Sequence, residues 1–199
     1  MRIGIVSDVH CNAPALDAAV EALRPQVDAM LLAGDAVLQY RFSNEVLETI
    51  QREEIGYVMG NHEMTLLAHG TQATSRPEVR RHNLAFMQSA PSELRLEVGG
   101  KTLLMVHASP FPPYDQYLYP TNPLLAHCAD IDADFLVLGH THVAMSKRVG
   151  STLVVNSGAL GERGDPDHPG LVSYGILDTV DESFEVHRFA DPSRARSVS

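Results

Sequence analysis

Read only for apolar and polar positions, the chain opens with Ile3 to Val6, a short β-branched run of the kind that fills a strand buried on both faces. Pro14 stands where the first turn of a helix tolerates a missing N–H, and Leu16, Val20 and Leu23 follow at helical spacing up to Arg24. Met30 to Ala33 is a second apolar run, ending in Gly34-Asp35. Ser43 is a good N-cap for a helix that carries Val46, Leu47 and Ile50. Ile55 to Met59 is a third run, ending in Gly60-Asn61-His62. Strands alternating with helices at this pace predict a parallel sheet built from crossover units.

Further along, residues 64–68 and 78–88 read as helices, the second closing before Pro91. Residues 93–98 and 102–106 flank Gly99-Gly100 and read as a hairpin. The stretch 108–123 holds five prolines and three tyrosines, so it is expected to be a surface loop or lid. Tyr114, Tyr117 and Tyr119 can pack that loop or stack a planar base. A short helix over 124–129 and a buried strand over 135–138 come next, the strand ending at Gly139-His140. Strands are expected near 143–149, 152–156, 171–178 and 183–189. The whole reads as a single domain over 1–190 with a frayed tail over 191–199.

Composition narrows the possibilities. The 199 residues carry a net charge of −10, which argues against an extended nucleic-acid-coating face. Two cysteines, Cys11 and Cys128, make no disulfide framework. No apolar run approaches the roughly 18 residues of a membrane span, and the N-terminal run is too short for a signal peptide, so the expected location is cytoplasmic.

The chemistry gathers at strand ends. Asp8-Val9-His10, Gly34-Asp35, Gly60-Asn61-His62-Glu63, Val106-His107 and Gly139-His140-Thr141-His142 each follow an apolar run. In open α/β sheets, ligands collect at the carboxyl ends of strands. A shuffled chain of this composition would contain Gly-Asn-His only about 0.02 times and Gly-His-x-His about 0.035 times. An aspartate after a strand can simply cap a helix, and a single histidine can simply hydrogen-bond; His69, His82, His127, His168 and His187, outside any strand-end motif, are read that way. The set Asp8, His10, Asp35, Asn61, His107, His140 and His142 is too large for one tetrahedral ion and suits two divalent transition metals, with Mn first and Fe, Ni, Co or Zn as alternatives. Two such ions form a clamp for in-line displacement at phosphorus.

The order of these motifs resembles the calcineurin-like metallophosphoesterase superfamily, above all its small prokaryotic single-domain phosphodiesterases. The resemblance runs from Ile3 to about Phe189. It implies a four-layer α/β/β/α sandwich with two mixed sheets. It implies that Asp8, His10 and His142 bind one metal, that Asn61, His107 and His140 bind the other, and that Asp35 bridges them. It further implies that a metal-bridging hydroxide attacks a small phosphoester, possible substrates including nucleotide derivatives, with Asn61 steadying the phosphoryl oxygens and His62 facing them as general acid or as a cation. Cys11 stands where glycine is common, residues 36–40 lack the glycines often found after the bridging aspartate, and Ser157 replaces a usual proline. Two other readings of the same pattern are a Ser/Thr-type protein phosphatase, against which Met59 stands in place of arginine, and a non-catalytic retromer-like scaffold, against which His62 and all seven ligand positions stand intact.

Overall fold

The computed structural model describes residues 1–69, 71–161 and 168–194. Two five-stranded mixed sheets face each other. In the first, β1 (Arg2–Val6), β2 (Ala29–Leu32) and β3 (Gly56–Tyr57) run parallel, and β9 (Leu171–Asp178) and β10 (Ser183–Ala190) continue from β1 antiparallel, in the order β10-β9-β1-β2-β3. In the second, β5 (Lys101–Val106), β6 (Phe135–Leu138) and β8 (Thr152–Asn156) run parallel, with β4 (Glu93–Val98) antiparallel to β5 on one edge and β7 (Met145–Val149) antiparallel to β8 on the other.

The period-two geometry of a strand explains why the central runs are apolar throughout. Ile3 and Ile5 point into the layer between the sheets, where they meet Leu103, Met105, Phe135, Val137, Leu153 and Val155. Their alternates point outward. Val6 packs under α1 (Ala13–Leu23) and α2 (Asn44–Arg52), together with residues of α3 (Asn61–His69), α4 (Thr71–Thr74) and α5 (Arg81–Gln88). Leu104, Val106, Leu136, Leu138 and Val154 pack under Leu118, Leu125 and Cys128. The architecture is therefore the four-layer α/β/β/α sandwich, with a thin fourth layer made of one 3₁₀ helix (Pro123–Asp130) and the Pro/Tyr loop before it. Among the described residues, no helix is long and apolar enough to cross a membrane.

Several boundaries differ from the sequence reading, among them the helix expected over 78–88, which begins at Arg81, and three differ for a clear local reason. β3 covers only Gly56–Tyr57, because the Met59 N–H leaves the sheet to bond Pro91 O at 2.8 Å. α3 starts at Asn61, so Asn61, His62 and Glu63 form its first turn; Glu63 folds back and accepts the Gly60 N–H at 2.7 Å, the acidic half of a capping box. Packing also passes residue 190. Asp191 is buried and accepts from Asn12 Nδ2 at 3.1 Å, and the packed chain runs to Arg194. The remaining expected tail, 195–199, lies outside the described residues.

Candidate metal centre

The strand-end residues meet at one end of the sandwich. The turn after β1 is paired to the turn after β2: Asp8 N–H donates to Gly34 O (3.1 Å), His10 N–H to Asp35 O (2.9 Å) and Cys11 N–H to Ala36 O (2.9 Å). The second sheet joins through the His140 N–H, which donates to the Asp8 carboxylate at 3.0 Å. Close approach has a steric condition. A Cβ on Gly60 would collide with the Asp35 carboxylate, and one on Gly139 would collide with Ser7 Oγ.

Backbone strain marks the same place. Nine non-glycine residues among those described have positive φ, and five are Asp8 (52°), His10 (50°), Asp35 (56°), His140 (66°) and His142 (60°). Aspartate tolerates this region better than most residues, and such strain concentrates at functional sites. Cys11 shares it at φ 66°, which accounts for glycine being a natural occupant there. The Cys11 thiol donates to Arg41 O at 3.2 Å, and burial pushes its pKa up, so it is held as a neutral thiol.

Side chains converge accordingly. Asp8 Oδ1 lies 3.3 Å from His142 Nε2 and 3.9 Å from His10 Nε2, and those two nitrogens are 3.0 Å apart. Asp35 Oδ2 lies 3.3 Å from His107 Nε2, 3.8 Å from His62 Nε2 and 4.0 Å from His10 Nε2. Asn61 Oδ1 lies 2.9 Å from His107 Nε2. His140 completes the set, its ring centroid 5.1 Å from that of His107. Every residue singled out from the motifs is thus in the cluster, and none of His82, His127, His168 and His187 joins a cation-holding group; the His69 side chain lies outside the described residues.

Tautomers follow from the outer partners. His107 Nδ1 must donate to Ala33 O, 2.7 Å away, so Nε2 presents a lone pair inward when the ring is neutral. His140 Nε2 is buried with no hydrogen-bond partner, while the ring's other nitrogen reaches the Asp115 backbone. Lone pairs and carboxylate oxygens with too few protons among them fit a cation. Three overlapping groups can each hold one: Asp8, His10 and His142; His10, Asp35 and His62; Asp8, Asp35 and His107. His62 is set apart by its own bond. Its Nδ1 accepts the Gln39 N–H at 3.1 Å, so the proton of the neutral ring sits on Nε2, which then has no lone pair to give.

The electrostatics of the cluster point the same way. Burial would raise the Asp8 and Asp35 pKa values, but hydrogen bonds and charge from His142 and His107 outweigh it and hold both carboxylates below the ordinary range. Burial would lower His107, but the Asp35 charge, its hydrogen bond and the Asp8 charge carry it up to about 10. His10, mainly through burial, is pushed down to about 4, and His140 is lowered by burial and by the His107 charge.

Several residues that the motifs did not single out hold these groups. The buried Glu63 carboxylate accepts N–H groups from Asp35 (2.9 Å), Val37 (2.9 Å) and Gly60 (2.7 Å), tying the two loops together. Burial and the Asp35 charge push its pKa up to about 7. Ser7 Oγ donates to Asp8 Oδ2 at 2.6 Å, and Asn156 Nδ2 donates to Gly139 O at 2.7 Å. The spacing Gly60-x-x-Glu63 was a usable signal for the first. Ser7 and Asn156 carry no local pattern at all.

The family model described as the calcineurin-like phosphoesterase superfamily domain matches residues 1–182. Among solved structures, a metallophosphoesterase from Sphaerobacter thermophilus is 25% identical, with a TM-score of 0.74 over 95% of this chain and 88% of that one. A protein described as a novel archaeal phosphodiesterase is 19% identical, with a TM-score of 0.63 over 95% of this chain and 100% of that one. An uncharacterized protein of Methanocaldococcus jannaschii is 25% identical over 94% of this chain and 86% of its own length.

Proposed function

The chain belongs to the calcineurin-like phosphoesterase superfamily, and from that premise we propose that it is a phosphodiesterase that works with two divalent cations at the Asp/His cluster. The observation that carries this reading is the position of Asp35, whose Oδ2 lies within 4.0 Å of His10 on one side and 3.3 Å of His107 on the other. In this reading Asp8, His10 and His142 hold one cation, Asn61, His107 and His140 hold the other, and Asp35 serves both. Nitrogen and oxygen donors without thiolate suit Mn, Fe, Co, Ni or Zn, and we place Mn first. When bound, the ions supply Lewis-acid charge and a nucleophilic water at neutral pH. The archaeal structural neighbour's description as a phosphodiesterase supports the choice of a diester.

The chain's own groups then have distinct tasks. With its Oδ1 turned to His107, Asn61 leaves its amide N–H groups for a phosphoryl oxygen. His62, protonated on Nε2 and 3.8 Å from Asp35, donates a hydrogen bond to the phosphoryl or leaving oxygen. With the Gln39 N–H on Nδ1, Nε2 is the nitrogen that carries its proton toward the substrate, so His62 acts as a fixed hydrogen-bond donor. The test is a panel of phosphomonoesters and phosphodiesters offered to chelated protein with Mn, Fe, Co, Ni, Zn or Mg restored one at a time. Diester hydrolysis should return with a transition metal and poorly with Mg, which prefers oxygen ligands and dehydrates reluctantly. Full activity after exhaustive chelation overturns the proposal.

A further inference from the structure

Seven large hydrophobic side chains stand exposed among the described residues, Tyr40, Met64, Tyr114, Tyr117 and Tyr119 among them. Tyr40 follows Gln39, whose N–H holds His62, and Met64 is the fourth residue of α3. Tyr114, Tyr117 and Tyr119 belong to the Pro/Tyr loop. Of these, Tyr117 stacks on the His140 ring at a centroid distance of 3.9 Å and an interplanar angle of 26°. Tyr119 stacks in turn on Tyr117 at 6.0 Å and 11°. Between them Leu118 is fully buried, so 117 and 119 share one outward side as alternate residues of an extended segment. The segment is braced: Asn122 Nδ2 donates to Tyr117 O at 2.7 Å and Asn122 N–H to Tyr119 O at 2.8 Å. Packing does not account for these rings, since Tyr117 is 50% and Tyr119 42% exposed.

An offset, nearly parallel pair of rings that begins on a candidate metal ligand and steps outward to solvent is a preformed surface for a flat π-system attached to whatever the cluster binds. We propose that Tyr117 and Tyr119 form a stacking platform for the base of a nucleoside-bearing phosphoester, whose phosphorus sits at the Asp/His cluster. This rests on the phosphoesterase reading above and adds its substrate class. Stacking is tolerant of base identity, because every base offers a π-face. The platform therefore selects nucleosides over plain alkyl or sugar esters rather than one base over another.

Two esters with the same leaving group test it: the p-nitrophenyl ester of thymidine 5′-monophosphate and methyl p-nitrophenyl phosphate. Tyr119 is the residue to change, since it touches the ladder and not His140. The ratio of kcat/KM for the nucleoside ester over the methyl ester should fall by about 5–100-fold in Tyr119→Ala and stay near the parent value in Tyr119→Phe. An unchanged ratio in a folded Tyr119→Ala overturns the platform. If the parent hydrolyses neither ester, the phosphoesterase reading fails, and calorimetric binding still decides the platform. With Mn present, the full-length parent should bind adenosine 5′-monophosphate at least about fivefold more tightly than ribose 5-phosphate, and Tyr119→Ala should lose that preference. Equal binding of the two by the parent overturns it.

Discussion

His107 and His140 leave neighbouring parallel strands of one sheet, and their rings stand 5.1 Å apart, yet they are held by opposite means. The outer nitrogen of His107 crosses to the other sheet and bonds a strand-end carbonyl, Ala33 O, inside the molecule. The outer nitrogen of His140 reaches the Asp115 backbone, and its face is covered by Tyr117, a half-exposed ring of the Pro/Tyr loop. The carboxylates pull the first ring's pKa up to about 10, while burial and its charged neighbour lower the second. One ring is thus fixed by the sandwich itself. The other is fixed by a surface loop, the kind of segment that varies without disturbing a core. In the proposed enzyme this separates two tasks. The buried side sets where cations sit, and the loop side sets what is brought to them.

The hardest blow to the buried side should be Asp35→Asn. Asp35 Oδ1 accepts the His62 N–H at 2.9 Å, and Oδ2 faces His107, His62 and His10. An amide there removes the charge both proposed sites share and can turn N–H groups toward nitrogens that need an acceptor. Both cations should be lost on dialysis, and diester hydrolysis should fall to the limit of detection. His142→Ala should lose about one cation per chain. Metal analysis of the two variants side by side is the check, and equal occupancy removes Asp35 from the shared position.

His62 stands between the two regions and should show a smaller, chemical defect. His62→Ala should keep both cations, because its Nε2 carries a proton while Gln39 occupies Nδ1. Losing one fixed donor to a developing charge costs on the order of 10²–10³ in turnover. A hydrogen-bond donor should affect diesters with alkoxide and nitrophenolate leaving groups about equally. A much larger loss on the alkoxide ester would instead make His62 a proton donor, and loss of metal would make it a ligand.

How far the two regions were legible from sequence differs in the same way. The buried side is nearly all there: Asp8, His10, Asp35, Asn61, His62 and His107 each follow an apolar run, because a buried strand that ends at a ligand must switch abruptly from apolar to polar. The parallel strands of the first sheet and most strand limits follow from that same periodicity, while the division into two sheets was implied by the family resemblance. What holds these groups was less visible. Glu63 shows only as a capping spacing, and Ser7 and Asn156 act through contacts between segments far apart in the chain. The positive φ values at five of the seven proposed ligands are imposed by the pairing of loop with loop, and no residue pattern announces them. On the loop side, tyrosines among prolines favoured packing over stacking, and only their exposure in the structure argues the other way.

A gentler probe of the contrast is pH. In the cation-free protein His107 keeps a proton up to about pH 10, because the Asp35 and Asp8 charges outweigh its burial. A ligating His107 must surrender that proton. Below pH 10, therefore, cation affinity should rise about tenfold per pH unit, and uptake near pH 8 should release about one proton from this group. His140, already lowered below the ordinary histidine value, adds no such term at that pH. Calorimetric titrations with Mn in buffers of different ionisation enthalpy count the protons released. His107→Gln should lower that count and His140→Gln should leave the His107 contribution in place. A parent that takes up cations near pH 8 without releasing protons contradicts the assigned role of His107.

The smallest effect should come from the loop side, where Tyr117 acts on the cations only through His140. Outer partners of metal-ligating histidines are typically worth 10–100-fold in affinity. Tyr117→Ala removes the ring stacked 3.9 Å from His140 but leaves the contact to the Asp115 backbone, so the lower end of that range, about tenfold, is expected. The weakening should fall on one of the two cations, since the ring contacts of Tyr117 are with His140 and Tyr119 and not with His10 or His142. Tyr117→Phe keeps the stacked face and should restore the affinity, because no hydrogen bond of the phenol is needed to orient the imidazole. A two-step competition titration against a chelator reads both affinities in one experiment. If both steps weaken together, the loop braces the whole cluster and the division between the two regions is wrong. If neither moves in a folded Tyr117→Ala, the Asp115 contact alone holds His140, and Tyr117 is left with the platform as its role.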